Sequence, residues 1–325
     1  MKFQSFIMKL KEISKDQWKA ILDKERHVSF FELPEWYSIW ENYFNTKSTA
    51  FLIDDHLLLS MIKLDGAKGA VSFYNSSPAG TYSNFRSIRS NVGSEEILEL
   101  TDLLEIQQMT KVNFIRFSPF CNVAIHDSSK VLVNDFTQYI ELSPLEIIDQ
   151  DWSRNHKRLY QKAISASLSV EKTNKISDWT AYWNLYASFI KQKARQASSA
   201  YKQSLFDNIH KLDLNQRDLW LVKKDKKVIA GRLVFYTNDY AVEWHANSTT
   251  EANVLGANQL LIHTIIADAK QRAIDIYDFN PSGGHEGVVS FKEKFGAKKK
   301  KVPYFQRFST KQKMYLLLKK NMNLS

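Results

Sequence analysis

The feature that most constrains this chain is an order of elements that occurs twice. In the second half, "DLWLV", "VIAGRLVFY" and "YAVEWHANS" are apolar-rich runs separated by the turns "KKDKK" and "TND", so residues 218–248 predict an antiparallel three-stranded meander. From Gly256 onward Leu261, Ile262, Ile265, Ile266, Ala269 and Ala273 recur at helical spacing, and "IDIYDF" predicts one more strand. In the first half "TAFLI", "HLLLSMIKL" and "AVSFYN" give the same meander. Ser94, followed by Glu95 and Glu96, opens a helix there, and "NFIRF" closes the set. The two closing strands run into Ser118-Pro119 and Asn280-Pro281, and these prolines stand 162 positions apart in a chain of 325. The pattern predicts a divergent duplication, two equivalent α/β units.

Each unit also begins with helices. "PEWYSIWENYF", residues 34–44, has Pro34 at its first helical position. "DWTAYWNLYASFI" places Trp179, Tyr182, Trp183, Tyr186, Phe189 and Ile190 on one face, which reads as core. Ahead of it, residues 152–166 form a helix with Arg154, Lys157, Arg158, Gln161 and Lys162 on one face, either a solvated stripe or an anion-binding one. Length favours two domains or one elaborated domain, since single domains run to ~100–200 residues. We place them at 1–150 and 151–325, with a basic segment, 298–325, closing the second.

Cys121 is the only cysteine, which excludes an intrachain disulfide and a thiolate metal cluster. The N-terminus is interrupted by lysines, and no apolar run reaches the ~18 residues of a spanning helix, so a cytoplasmic location is expected. No H-x-x-x-H pair and no G-x-S-x-G elbow occurs. The formal charge of +10 resides in residues 291–325, where eleven lysines and arginines face Glu293 alone. Such a patch attracts polyanions, whether RNA, an anionic membrane face or a phosphorylated ligand; the alternative is a solvated tail. "TKQKMYLLLKKN" reads as a short amphipathic helix, resting on the inner membrane as a peripheral contact or docked on the body of the protein.

The ordered set resembles the GNAT acyltransferase fold in the duplicated form of the Fem peptidoglycan peptidyltransferases and their GNAT-like relatives. The resemblance is carried by "RNHKRLYQKAISASLSVEKT", by "DLWLVKKDKKVIAGRLVFY", and by "YDFN" followed by "SFKEKFGAK". It implies an α/β (α+β) chain of two tandem GNAT-like domains, each a mixed, largely antiparallel sheet flanked by helices. The implied activity moves an acyl or aminoacyl group onto an amine of a cell-envelope precursor, sugar or peptide. The implied donor is acyl-CoA or aminoacyl-tRNA, with no cofactor bound permanently, and the acceptor is a small molecule or lipid-linked. Two other readings stay open: an acyl-CoA-dependent N-acetyltransferase of a nucleotide sugar, and a non-catalytic GNAT-like protein that binds RNA or a partner. The oligomeric state is unspecified.

The resemblance also places residues. It sets the Phe-Lys pair Phe291 and Lys292 near the acyl-transfer site, and Asp278 and Asn280 of "YDFN" toward substrate. The coenzyme A pattern Q/R-x-x-G-x-G/A falls on residues 253–258, giving Gly256, Ala257 and Asn258 at a helix start. Asn253 and Asn258 depart from that pattern, so a coenzyme A cradle of the usual kind is not expected. The helical hairpin of tRNA-dependent Fem enzymes has no insertion here to hold it.

Acyl transfer to an amine needs a base, a donor for the developing oxyanion and close positioning. Strand alternation puts Glu243 and His245 on one face, as base or proton relay, or else as hydrogen-bonded structural groups. Lys292 either steadies transition-state charge or lies on the surface. Gly283 and Gly284 lack dinucleotide spacing and form a turn whose N–H groups are offered to a phosphate or carboxylate. Arg232 either binds an anionic substrate or ion-pairs within the fold, and Arg154 and Arg158 are the exposed anion candidates.

Overall fold

The computed structural model describes residues 9–66, 69–83, 85–88, 92–93, 112–121, 123–124, 131–132, 135–142, 147–192 and 200–322; the helix expected at Ser94 lies outside them. The chain divides into two units, Met1–Asp135 with Lys301–Met322, and Phe136–Lys300 with Asn323–Ser325. The division falls ahead of the boundary expected at residue 150, and Lys301–Met322 of the basic segment expected in the second domain groups with the first unit.

In the first unit the sheet runs β1 (Leu10–Ile13), β2 (Ser48–Ile53), β3 (Leu57–Gly66), β4 (Val71–Asn75), β7 (Val112–Arg116), β17 (Tyr304–Gln306) and β9 (Val131–Leu132). The short β5 (Arg86–Ser87) pairs with β3, and β6 (Val92–Gly93) with β8 (Val123–Ala124). Apolar residues of these strands, among them Phe51, Leu57, Leu59, Ile115 and Phe305, form one buried cluster. Helix α1 (Lys15–Leu22) is started by a reciprocal capping box between Ser14 and Gln17, and α2 (Pro34–Phe44) by proline at its first turn. Trp18, Trp36, Tyr37 and Trp40 are the largest side chains these helices bury.

In the second unit the order is β11 (Ser169–Thr173), β12 (Arg217–Lys224), β13 (Lys227–Tyr236), β14 (Tyr240–Ser248), β15 (Ile276–Asp278), β10 (Phe136–Glu141) and β16 (Lys298–Lys301). The expected meander is β12 to β14. It turns first on Asp225 and Lys226, both left-handed, as a two-residue hairpin requires. Among the described residues six helices complete the unit: α3 (Arg154–Ser165), α4 (Ile176–Gln192), α5 (Gln203–His210), α6 (Thr250–Leu255), α7 (Ala257–Gln271) and α8 (Glu286–Glu293). Leu261, Ile262, Ile265 and Ile266 of α7 pack on Trp220, Ala230 and Val234 of one sheet face. The other face receives α4, whose Trp179, Tyr182 and Tyr186 are buried while Phe189 is 38% exposed. Only half of the aromatic stripe expected as core is therefore core.

The two sheets have the same seven-place order. In both, the fourth and fifth strands are parallel, β4 with β7 and β14 with β15. The sixth place breaks the chain order in both. The first unit takes β17 from beyond residue 300, and the second takes β10 from ahead of its helices.

Candidate functional site

Strand β14 carries the candidate site, and a β-bulge decides its geometry. Val234 pairs with Glu243 and Leu233 with His245, so Trp244 is an extra residue with no counterpart on β13. Glu243 and His245 then oppose adjacent residues of β13, which point to opposite faces. The expectation that they share a face is corrected. An extra residue shifts the two-residue alternation by one, and "YAVEWHANS" carries no local signal of it.

On the α7 face, Glu243 forms a buried ion pair with Arg232 and accepts from the Tyr277 hydroxyl at 2.9 Å. Arg232 also donates to Asn258 Oδ1 at 3.1 Å, and its guanidinium carbon lies 5.8 Å from the centre of the Phe291 ring. Asn258 in turn donates to Asn253 at 2.7 Å and Ser248 at 3.2 Å. Of the two roles weighed for Arg232, ion pairing within the fold is the one seen. Burial and the Glu243 carboxylate hold the Tyr277 hydroxyl well above its ordinary pKa, so it stays a donor.

On the α4 and α5 face, His245 lies within a ring of aromatics. Its Nδ1 is 2.6 Å from the Tyr182 hydroxyl, and Tyr186, Phe206 and Trp244 surround the imidazole. Gly231 makes this approach feasible, because a Cβ there would stand 2.7 Å from the Tyr182 ring. Burial lowers the His245 pKa to about 4 and raises that of Tyr182 far above the phenol range. His245 is therefore neutral near pH 7. The pairing of β14 with β15 ends at Val242 and Asp278, so Glu243 to Ser248 have no strand beside them on that edge among the described residues. The bulge and this open edge coincide.

The other candidates fall into separate groups. Asp278 is fully buried and accepts from Thr137 and Tyr240 at 2.5 Å and from the Asn280 N–H at 2.8 Å. These bonds make it a clamp between strands β10, β14 and β15. Lys292 is 5% exposed and donates to the Asn280 carbonyl at 2.6 Å and to Ser282 Oγ at 2.9 Å. It is a buried tie across the turn that holds Gly283 and Gly284, and the surface alternative is excluded. Asn280 adopts φ of 61° and both glycines have positive φ; the glycines are exposed, with open space above Gly284. Phe291 packs between His156 and Phe295. Arg154 and Arg158 are exposed on α3, where Arg158 donates to Asn155 at 3.1 Å.

Gly256 is left-handed and both ends α6 and begins α7. A Cβ at this position would collide with the Leu159 carbonyl oxygen of α3. The glycine thus serves helix packing, Ala257 is fully buried, and the Asn258 amide is engaged within the fold. Sequence reasoning missed Tyr182 and Tyr277 as members of the site. A glycine in the middle of β13 was the one local sign that a ring from α4 must press close.

Residues 152–293 match the family model described as an acetyltransferase (GNAT) domain, and this stretch lies within the second unit. No curated protein matches the sequence. Among solved structures, FemX aligns with a TM-score of 0.66 and 13% identity, over 95% of this chain and 99% of that one. L-PGS from Bacillus licheniformis aligns at 0.58 and 10% identity, over 97% and 99%. A tandem GNAT protein from the clavulanic acid biosynthesis pathway aligns at 0.51 and 8%, over 91% and 97%. These likenesses establish the tandem GNAT-like fold, and the domain type implies acyl-CoA as donor. At Gly256 the α3 backbone occupies the space that the missing side chain leaves, and Asn253 and Asn258, which depart from the coenzyme A pattern, are hydrogen-bonded to each other.

Proposed function

We propose that this acyltransferase moves an acyl or aminoacyl group from an activated ester to an amine of a cell-envelope precursor, with the reaction at the open edge of β14. The bulge at Trp244 is the observation that carries the reading. It sets His245, held by Tyr182, beside the stretch of strand that β15 leaves uncovered. The Tyr182 hydroxyl has two acceptors in reach, His245 Nδ1 at 2.6 Å and the His245 carbonyl at 3.3 Å. With its proton given to the carbonyl, its oxygen accepts Nδ1–H and the lone pair resides on Nε2. The amine nitrogen then bonds to the acyl carbon, the ester bond breaks, and the proton lost by nitrogen passes through Nε2 to the departing hydroxyl. Glu243 takes no proton in this scheme, because Arg232 and Tyr277 hold it on the opposite face.

The acceptor follows the Fem resemblance, and the donor favoured is aminoacyl-tRNA, since Asn253 and Asn258 depart from the coenzyme A pattern and are tied to each other and to Arg232. Arg154 and Arg158, exposed on α3, are the cations offered to the donor's phosphates. The test incubates the protein with aminoacylated tRNA or acetyl-CoA and a muropeptide nucleotide, and reads amide formation by mass spectrometry. Amide from the tRNA donor, lost in His245→Gln, supports the proposal. Amide from acetyl-CoA alone replaces the donor, and none from either overturns the acceptor. Protection from thermal unfolding by one donor and not the other gives an independent reading.

A further inference from the structure

Helix α9 (Thr310–Met322), in the first unit, is docked by one side and bare on the other. The docked side is specific. Gln312 donates to the Ser72 carbonyl at 2.7 Å and exchanges amide hydrogen bonds with Asn113 at 3.1 and 3.2 Å. The Tyr315 ring lies over Gly66, where a Cβ would stand 2.6 Å from it, and 5.9 Å from the Phe73 ring. This anchoring fixes which residues face out. Met314, Leu317 and Leu318, spaced as one helical stripe, are 58%, 61% and 52% exposed. Lys311 and Lys313 are exposed beside them, and the sequence adds Lys319 and Lys320 in the next turn. Between residues 301 and 322 there are six lysines and arginines and no carboxylate.

We propose that this face of α9 lies on an anionic lipid bilayer, the three apolar side chains entering the boundary between headgroups and acyl chains and the lysines reaching back to the phosphates. Three observations select this occupant. The lysines border the apolar stripe, which is the arrangement that lets long cationic side chains bury their stems and keep their charges at the headgroups. The complete lack of acid makes the charge complementary to anionic lipid and repulsive toward a second copy of the same face. Three aliphatic side chains also fall far short of the roughly 800 Å² per partner that a stable protein interface needs, whereas adsorption to a membrane adds charge attraction to a small apolar area. The inference is independent of the acyl-transfer reading, though a bilayer surface would bring the enzyme to a lipid-linked acceptor.

The test is cosedimentation of the full chain with vesicles of phosphatidylcholine alone or with about 30 mol% phosphatidylglycerol, a fraction that gives a strongly negative surface. Binding is expected to the anionic vesicles only and to weaken as salt rises. The Leu317→Ser/Leu318→Ser variant should bind at least about tenfold more weakly, and Lys311→Ala or Lys313→Ala about fivefold each. These positions are exposed, so the thermal unfolding temperature should stay put and exclude misfolding. No binding to anionic vesicles overturns the proposal. Binding that survives the double serine change but falls with the lysine changes identifies a polyanion site such as RNA and also overturns it. A dimer that the serine variant dissociates, seen by light scattering, assigns the face to a second copy. Vesicle binding needs no turnover, so its failure leaves the proposed reaction untouched.

Discussion

The two units place a parallel pair of strands at the same point in the same seven-strand order, and they finish it in opposite ways. In the first unit the pair stays closed. After Asn75 the Ser76 N–H donates to the Phe114 carbonyl at 2.8 Å, and the chain returns at Ser83 to donate to the Arg116 carbonyl at 2.7 Å and bridge Phe117. In the second unit the pairing stops at Val242 and Asp278, beside the bulge. The groups around the closed pair, Ser76, Ser77, Thr81 and Ser83, are buried and carry no charge, whereas those around the open one are Glu243, Arg232, His245 and two tyrosines. A strand pair that stays hydrogen-bonded has no backbone to offer a ligand, whereas the pair that parts leaves strand backbone uncovered beside His245. The domain match agrees, since it begins at residue 152 and lies within the second unit.

The largest test of this contrast is catalytic. Replacing His245 with Gln should lower kcat by about 10²- to 10⁴-fold, the range for a lost general base, whereas Ser76→Ala, at the closed pair, should leave it within about threefold. Equal losses from both would erase the distinction. A second test compares buried ion pairs. Glu243→Ala strands Arg232 and should cost the second unit about 3–5 kcal/mol, and Glu32→Ala should do the same to the first by stranding Arg86, whose Nε donates to Glu32 at 3.1 Å. Calorimetry should show each change lowering only its own transition; a single shared shift would mean that the units do not unfold separately.

Acid should separate the units next. His156 and His245 are both lowered from 6.5 to about 4, by burial above all and for His156 also by the Lys294 charge. Once unfolded they take up protons below about pH 6.5, while the folded forms do so only near pH 4. Stability therefore falls as pH drops through that window, by up to about 3 kcal/mol for each. Both belong to the second unit, so its transition should move first, and His245→Gln should flatten the dependence; a first unit that melts earlier would contradict this. The smallest effect concerns Tyr182. Tyr182→Phe removes the hydroxyl's two hydrogen bonds to His245 and should cost about 1–2 kcal/mol of stability, yet it should lower kcat about tenfold with KM little changed if the hydroxyl sets the His245 tautomer. A change in KM alone would reduce Tyr182 to packing.

The strands of both meanders were legible because β-rich apolar runs punctuated by short polar turns mark them, and α7 because its aliphatics recur at helical spacing. What could not be read follows from interactions distant in sequence. The bulge at Trp244 depends on how β14 registers against β13. The burial of Asp278 depends on Thr137, 141 positions earlier. Lys292 looks like any surface lysine until the turn at Asn280 folds back to accept from it. Gly256 fits a phosphate-binding pattern in sequence, and only the nearness of Leu159 shows what the missing side chain is for. The "KKKK" run gave no hint that β16 ends there and that the chain then supplies β17 to the other sheet.

That last arrangement sets a timetable for synthesis. The first sheet lacks its sixth strand until Phe305 has left the ribosome, so residues 1–135 must wait, with the flank of β7 bare, while the whole second sheet is made. The second sheet takes its last strand from Lys298–Lys301, just ahead of β17, so both sheets are completed only at the end of synthesis and the leading one has the longer wait. A nascent chain stalled near residue 300 would expose an unsatisfied strand edge, the kind of surface that chaperones hold and that aggregation exploits.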